Sequence, residues 1–147
     1  MNLTKAVLIG AVLAAGAVHA QVERTDPNSI ARSDLMRMQG KNIGILSEMA
    51  EGKIPYDAAA AEAAKAVLVE DAAKIETVFK DPGAADPASR AKPEIWTNWD
   101  DFLVKSKAFG DAVGALDVAS AESIGAGLGA VGGACGDCHK TYQAPKQ

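Results

Sequence analysis

The residues best suited to chemistry lie near the C-terminus, where the segment from Cys135 to His139 reads C-G-D-C-H. The chain has no other cysteine, and its only other histidine is His19. Two thiols three positions apart can each add to a vinyl group of a haem, and the adjacent histidine is then placed to bind the iron. A disulfide or a thioredoxin-like redox pair would need the cysteines but not the histidine. The motif therefore predicts one haem c, attached through Cys135 and Cys138, with His139 as the proximal iron ligand.

The first twenty residues are typical of a secretory signal peptide. Lys5 is followed by an uncharged apolar stretch and then by small residues that end at Ala20. Cleavage after Ala20 would leave residues 21–147 as the mature protein, which we expect in the periplasm, since haem c is matured outside the cytoplasm. Cleavage would also remove His19. The mature chain would then have a single histidine, His139, which excludes a haem with two histidine ligands.

Length, charge and composition narrow the function classes further. The mature chain is long enough for one domain, and it has no second apolar stretch that could span a bilayer, so we expect no membrane insertion. The formal net charge of the full sequence is −4, and the sequence has no basic cluster, which disfavours a nucleic acid partner. Only 5% of the residues are aromatic and alanine is abundant, so the core must consist mainly of small side chains. A haem would supply much of the apolar bulk of such a core.

Apolar residues recur at intervals of three and four along the mature chain, which predicts an all-α protein. Helices are expected over residues 29–51, 57–79 and 94–117, and a fourth from Ser120 through the C-x-x-C-H motif. Asp57 is the expected N-cap of the second helix. Three prolines between residues 81 and 93 predict one long loop. Four helices with short links favour an antiparallel up-down-up-down bundle that holds a cofactor among its helices.

The fourth helix has a continuous apolar stripe in spite of an unusual glycine content. Six of the fourteen glycines lie between Gly125 and Gly136, and each disfavours a helix relative to alanine. We expect these glycines to let a flat macrocycle or a neighbouring helix approach the backbone closely, although a flexible loop is the alternative interpretation. The stripe includes both cysteines. Its members are Ile124, Leu128, Val131, Cys135, Cys138 and Tyr142.

These features resemble the class II cytochromes c, the family that contains cytochrome c′ and its low-spin relatives. The resemblance covers the whole mature chain and depends mainly on a haem motif that lies near the C-terminus, in the last of four helices. Weaker similarities are R-S-D-L-M at residues 32–36, G-K-I-P-Y-D at 52–57, P-E-I-W at 93–96 and the segment from Cys135 to Tyr142. The resemblance implies a four-helix bundle with a covalently bound haem, in which Arg32 lies near the haem and Met36 occupies the distal position.

One departure from the family pattern concerns the proximal side of the haem. The family commonly has an arginine after the aromatic residue that follows the haem histidine, and this chain has Gln143 after Tyr142. We therefore expect the proximal side to have lost that cation. The gas-ligand behaviour in which that arginine is implicated does not transfer to this chain on the resemblance.

Three methionines of the mature chain could provide the sixth iron ligand, and all of them lie on the first helix. Met36 shares a helix face with Arg32 and Gly40, where the small glycine would leave room for the porphyrin. Met38 and Met49 fit the core stripe of the same helix better, as packing residues. The interpretation favours Met36 as the distal ligand. The alternative is that Met36 only shields a five-coordinate iron.

Two functions follow from these alternatives. With His139 and Met36 on the iron, the protein would be an electron carrier that serves redox partner proteins of the periplasm, since fixed axial bonds allow electron exchange with little rearrangement. With a vacant distal site, it would be a cytochrome c′ that binds nitric oxide or carbon monoxide. The resemblance implies a monomer in the first case and a homodimer in the second. No acid–base pair is evident in the sequence, so we expect no enzymatic activity.

The tryptophans of the third helix, Trp96 and Trp99, are expected to pack in the core rather than against the haem.

Overall fold

The computed structural model describes residues 23–146, and the expected signal peptide lies outside them. The helices are α1 (Pro27–Ala50), α2 (Ala58–Phe79), α3 (Glu94–Thr97), α4 (Trp99–Ala115) and α5 (Ala121–Tyr142). The long helices α1, α2, α4 and α5 pack as an antiparallel up-down-up-down bundle, with α1 against both α2 and α5, and α4 against both α2 and α5. No helix of the described segment is long and apolar enough to cross a membrane. The predicted all-α bundle is confirmed.

The helix starts follow from capping side chains. The Asp26 carboxylate accepts a hydrogen bond from the Ser29 amide, and Asp57 accepts one from the Ala60 amide, each 2.8 Å long. Ser120 forms a capping box at the start of α5. The predicted N-cap Asp57 and the predicted start of the fourth helix are therefore confirmed.

The third predicted helix differs from the structure in one respect. The backbone breaks at Asn98, whose φ of −123° and ψ of 46° are not helical, so the segment divides into the short α3 and the longer α4. The indole of Trp96 donates to the carbonyl of Phe79 over 2.8 Å, and this bond turns α3 towards the end of α2. Trp96 and Trp99 are both partly buried against the hydrophobic core, as predicted.

The core lies along the bundle axis and includes only one of the two methionines of α1 that were expected to pack there. Leu46 and Met49 are buried, whereas Ile30 is 40% exposed and Met38 is 37% exposed. The prediction of Met38 as a core residue was therefore wrong. The face of α1 that turns inwards runs through Ser29, Arg32, Leu35, Gln39, Asn42, Leu46 and Met49. Several of these residues are polar, and hydrophobic periodicity alone does not identify such a face.

The long loop between α2 and α3 is fastened to the start of α1. The amides of Thr25 and Asp26 both donate to the Asp86 carboxylate, and the Ala84 amide donates to the Asp26 carboxylate. Gly83 has a φ of +72°, and a side chain there would collide with Asp26. These bonds fix the loop at the bundle end where α1 begins and α5 ends.

Candidate cofactor site

A cavity of about 660 Å³ lies among the four long helices and lies within the size range of small-molecule and cofactor pockets. Much of its wall is apolar and comes from α2, α3, α4 and α5. These residues are Ile75, Phe79, Ile95, Phe102, Phe109 and Ala134. The cavity can therefore receive a largely apolar group in the centre of the bundle.

The C-x-x-C-H motif lies on the wall that α5 contributes. Cys135, Cys138 and His139 all line the cavity, because residues three and four apart share one helix face. Burial raises the pKa of the Cys135 thiol, and it raises the pKa of Cys138 to about 11. Protonated thiols are poor nucleophiles at neutral pH, which argues against a thioredoxin-like redox pair. Desolvation, and then the Arg90 charge, lower the pKa of His139, so its neutral form is favoured.

Arg90 supplies a cation on the side of the cavity that α5 forms. Its guanidinium donates to the Gln143 side-chain oxygen over 3.1 Å and to the Ala144 carbonyl over 2.8 Å. Arg90, Gln143 and His139 all line the cavity. A cation therefore lies near His139 although position 143 is a glutamine. Sequence reasoning missed Arg90 because it lies in the loop before α3, far from the motif along the chain.

The opposite wall of the cavity belongs to α1. Arg32 and Met36 line it as predicted, and Gln39 lies one turn beyond Met36 on the same face. Gly40 was expected to make room on this face, but it is exposed and does not line the cavity. Neither Met38 nor Met49 contributes to the wall. Among the methionines of residues 23–146, Met36 alone contacts this cavity.

Arg32 is buried, with 4% of its surface exposed. Its two terminal nitrogens donate to the carbonyls of Asp81 and Pro82, at 2.9 and 3.0 Å, just beyond the end of α2. The guanidinium carbon also lies 5.3 Å from the Trp96 ring centre and 5.9 Å from that of Phe79. Its Nε atom is buried and has no hydrogen-bond partner. The side chain is therefore fixed by the fold, and its buried Nε–H is left without an acceptor.

The polar groups of the wall fit a group that carries carboxylates, such as the two propionates of a haem. Two cavity-lining residues near the start of α1 have a buried polar atom without a partner: Ser29 Oγ and Arg32 Nε. Within residues 23–146 the wall includes six cationic side chains and no carboxylate, although the whole chain is acidic. The cationic residues are Arg24, Arg32, Arg37, Arg90, Lys105 and Lys146. The cavity thus combines paired cysteines, an apolar interior and a cationic wall.

The comparisons with known proteins agree with this site. Residues 29–143 match the family described as Cytochrome C′. The chain belongs to the cytochrome c′ family. The family holds one covalently attached haem c, and the cofactor predicted from the motif is therefore confirmed.

The individual relatives include proteins named cytochrome c-556 and proteins named cytochrome c′. The chain is 34% identical to a cytochrome c-556 of Agrobacterium fabrum over 99% of this chain and 96% of that protein. The structure superposes on a cytochrome c′ from Rhodobacter sphaeroides with a TM-score of 0.73 at 33% identity, covering 81% and 96% of the two chains. It also superposes on the nitric oxide complex of a mutant cytochrome c prime from Alcaligenes xylosoxidans, with a TM-score of 0.70 at 29% identity, covering 80% and 94%.

Proposed function

We propose that this cytochrome is an electron carrier whose haem iron is bound by His139 and Met36. Cys135 and Cys138 form the thioether bonds to the haem, and Arg32 lies near it. The observation that carries the proposal is that Met36, unlike Met38 and Met49, lines the cavity, and does so from a different helix than His139. When bound, a haem with histidine and thioether ligands changes oxidation state without loss of a ligand, and the thioether favours Fe(II).

The protein residues have separate roles in this proposal. The bundle holds Met36 and His139 on separate helices, so both axial positions are fixed before an electron arrives. The apolar walls exclude water from the iron, and Arg32 contributes positive charge beside the haem. The chain is expected to be exported to the periplasm with cleavage after Ala20, to remain a monomer, and to exchange electrons with redox proteins there.

Absorption spectra of the oxidised and reduced protein, with and without carbon monoxide, test the ligation. The proposal expects low-spin spectra in both states and no rapid binding of carbon monoxide. Met36→Ala should give a high-spin spectrum, a lower potential and an open site for carbon monoxide. Met38→Ala is the matched control, because Met38 lies on the same helix but outside the cavity, and it should change none of these properties.

The second candidate function is binding of nitric oxide or carbon monoxide at a five-coordinate iron beneath Met36. It is favoured by the similarity to a cytochrome c prime whose nitric oxide complex has been solved. A wild-type protein that is high-spin and binds carbon monoxide rapidly would contradict the electron-carrier proposal and support this alternative.

Covalent attachment is tested separately. The haem should resist extraction with acid acetone, and a Cys135→Ser, Cys138→Ser variant should lose covalently bound haem. A pigment that extracts freely from the wild-type protein would contradict the assignment of the two cysteines.

A further inference from the structure

Gln39 is a buried polar residue on the cavity wall that the proposed ligands leave without a role. Only 6% of its surface is exposed, and its Nε2 is buried without a hydrogen-bond partner. Buried donors in folded proteins are almost always paired. The wall that contains Gln39 surrounds the space for the haem, so the missing acceptor belongs to a group inside the cavity.

The position of Gln39 along α1 limits what that acceptor is. Arg32 reaches the carbonyls at the loop end of the bundle, and Gln39 lies seven residues further along, about 10 Å deeper in the cavity. Since α5 runs antiparallel to α1, this deeper half is the one that Ala134 and Cys135 line on the opposite side. A haem attached through Cys135 presents its thioether edge there and has no carboxylate on that edge. The remaining acceptor at this depth is the group on the distal side of the iron.

We propose that Gln39 is the distal hydrogen-bond donor of this site. Its side-chain amide donates to the atom that occupies the sixth position, which is the Met36 sulfur or a diatomic ligand that replaces it. Gln39 and Met36 are one helical turn apart on the same face, which places the amide beside the thioether. The inference deepens the proposed function, because it rests on a haem between α1 and α5, but it does not require that Met36 bind the iron. Gln39 is a positioning and tuning residue, since it acts on the ligand and not on the iron.

Asn42 provides a matched control on the same helix. It is also a buried amide, 7% exposed, but its Nδ2 donates to the Met38 carbonyl over 2.8 Å and it does not line the cavity. Replacing Asn42 should therefore disturb the packing of α1 without removing a donor from the haem pocket.

The experiment compares ferrous carbon monoxide complexes by infrared spectroscopy and by the rate at which excess nitric oxide replaces the bound carbon monoxide. The three holoproteins are Met36→Ala, Met36→Ala with Gln39→Leu, and Met36→Ala with Asn42→Leu. A donor near the carbonyl oxygen lowers the C–O stretching frequency, so Gln39→Leu should raise that frequency. It should also make carbon monoxide dissociate about two- to fivefold faster, as expected for loss of a weak neutral hydrogen bond. Asn42→Leu should leave both values unchanged.

A second measurement uses the chain without the Met36 substitution. Gln39→Leu alone should lower the midpoint potential of the holoprotein, because a donor to the thioether favours Fe(II), and Asn42→Leu should not. An unchanged C–O stretch in the Gln39→Leu protein, or an equal shift in the Asn42→Leu protein, would overturn the proposal. If the double variant does not accumulate, an unchanged potential of Gln39→Leu overturns it. If Met36 does not bind the iron, the wild type itself takes up carbon monoxide and the same infrared comparison is made there, so the two proposals fail separately.

Discussion

At the scale of single residues, Arg32 both lines the cofactor cavity and holds α1 against the segment that follows α2. Its guanidinium lies between the Trp96 and Phe79 rings and donates to two carbonyls beyond the end of α2. A lysine could keep the charge, but its single ammonium group cannot reach both carbonyls while it stacks on the rings. The residue that the resemblance placed near the haem is therefore also a structural clamp between α1, α2 and α3.

We expect Arg32→Lys to destabilise the holoprotein by about 1.5–3 kcal/mol, the contribution of one hydrogen bond from a charged donor. Chemical denaturation followed by the haem absorbance measures this change. Arg37→Lys is the matched control, because Arg37 is exposed and its ion pair with Asp34 is a surface contact that should change stability by less than about 0.5 kcal/mol. Equal effects of the two substitutions would contradict the role of Arg32 as a clamp.

Arg90 leads to a prediction about the redox potential. Its charge lies close enough to His139 to lower the pKa of that histidine, and it is held in place by Gln143 and Ala144. A fixed cation beside His139, the proposed proximal ligand, disfavours Fe(III), so Arg90→Gln should lower the midpoint potential by on the order of 20–60 mV, more at low salt than at high salt.

Redox titration of Arg90→Gln measures the shift. Lys107→Gln removes a charge of the same sign from an exposed pair with Asp111, outside the cavity, and should leave the potential nearly unchanged. A shift in Lys107→Gln as large as that in Arg90→Gln would show that only the total charge of the protein matters.

Prediction of single residues from the sequence succeeded where the position of a side chain depends on local helix geometry. It failed where that position depends on how the helices and loops pack. The spacing of Cys135, Cys138 and His139 fixes a shared helix face, and the structure places all three on the cavity wall. The same reasoning placed Met38 in the core and Gly40 beside the haem, because an apolar pattern along α1 could not show that the inward face continues through the polar residue Gln39. Arg90 reaches the site by a loop, and no periodicity predicts that.

At the scale of secondary-structure elements, the glycines of α5 need an explanation other than the expected one. A Cβ atom added at Gly132 or Gly133 would meet no neighbouring atom within 4 Å, and neither residue lines the cavity. The expected close approach occurs at Gly127, where an added Cβ would lie 2.5 Å from Leu116 Cδ1. Most of the helix therefore accepts glycine without needing it, and the apolar stripe through the cysteines is what the bundle requires.

Replacing glycines of α5 by alanine should accordingly raise stability at some positions and lower it at others. Gly132→Ala and Gly133→Ala should each stabilise the protein by about 0.5–1 kcal/mol, because alanine loses less conformational entropy in a helix. Gly127→Ala should be destabilising, since Leu116 is almost fully buried and has little room to move. Thermal melting of the three holoproteins gives the comparison. Destabilisation by Gly132→Ala would indicate that this exposed glycine has a contact partner outside the described fold.

The break between α3 and α4 shows what element-scale patterns leave out. Apolar spacing continues from Ile95 through Phe102, so one helix was the natural prediction. The structure interrupts it at Asn98, next to the bond by which Trp96 reaches the Phe79 carbonyl. A tertiary hydrogen bond between distant segments has no signature in local periodicity. The N-caps Asp57 and Ser120, in contrast, depend on local geometry and were predictable.

At the scale of the whole molecule, the bundle is built around a space that its own side chains do not fill. The small-residue composition predicted this feature, and the structure shows a cavity of about 660 Å³ among all four long helices. The cavity is open on one side, so without a cofactor water enters it and contacts its apolar walls. Leaving apolar surface in contact with water costs roughly 25 cal/mol for each Å².

The apoprotein should therefore not keep the native bundle. A Cys135→Ser, Cys138→Ser variant, which lacks both attachment points, should have a lower helix content by far-ultraviolet circular dichroism and should melt over a broader temperature range than the holoprotein. The loss should be largest in α1 and α5, because their inward faces line the cavity from opposite sides, and hydrogen exchange resolved by segment would show protection lost there first. Free haem added to the variant provides the control, because partial recovery of helicity would assign the defect to the missing cofactor rather than to the serines. Apoprotein that is as helical as the holoprotein, and melts as cooperatively, would show that the four helices pack without the haem and that the cavity is a stable feature of the polypeptide alone.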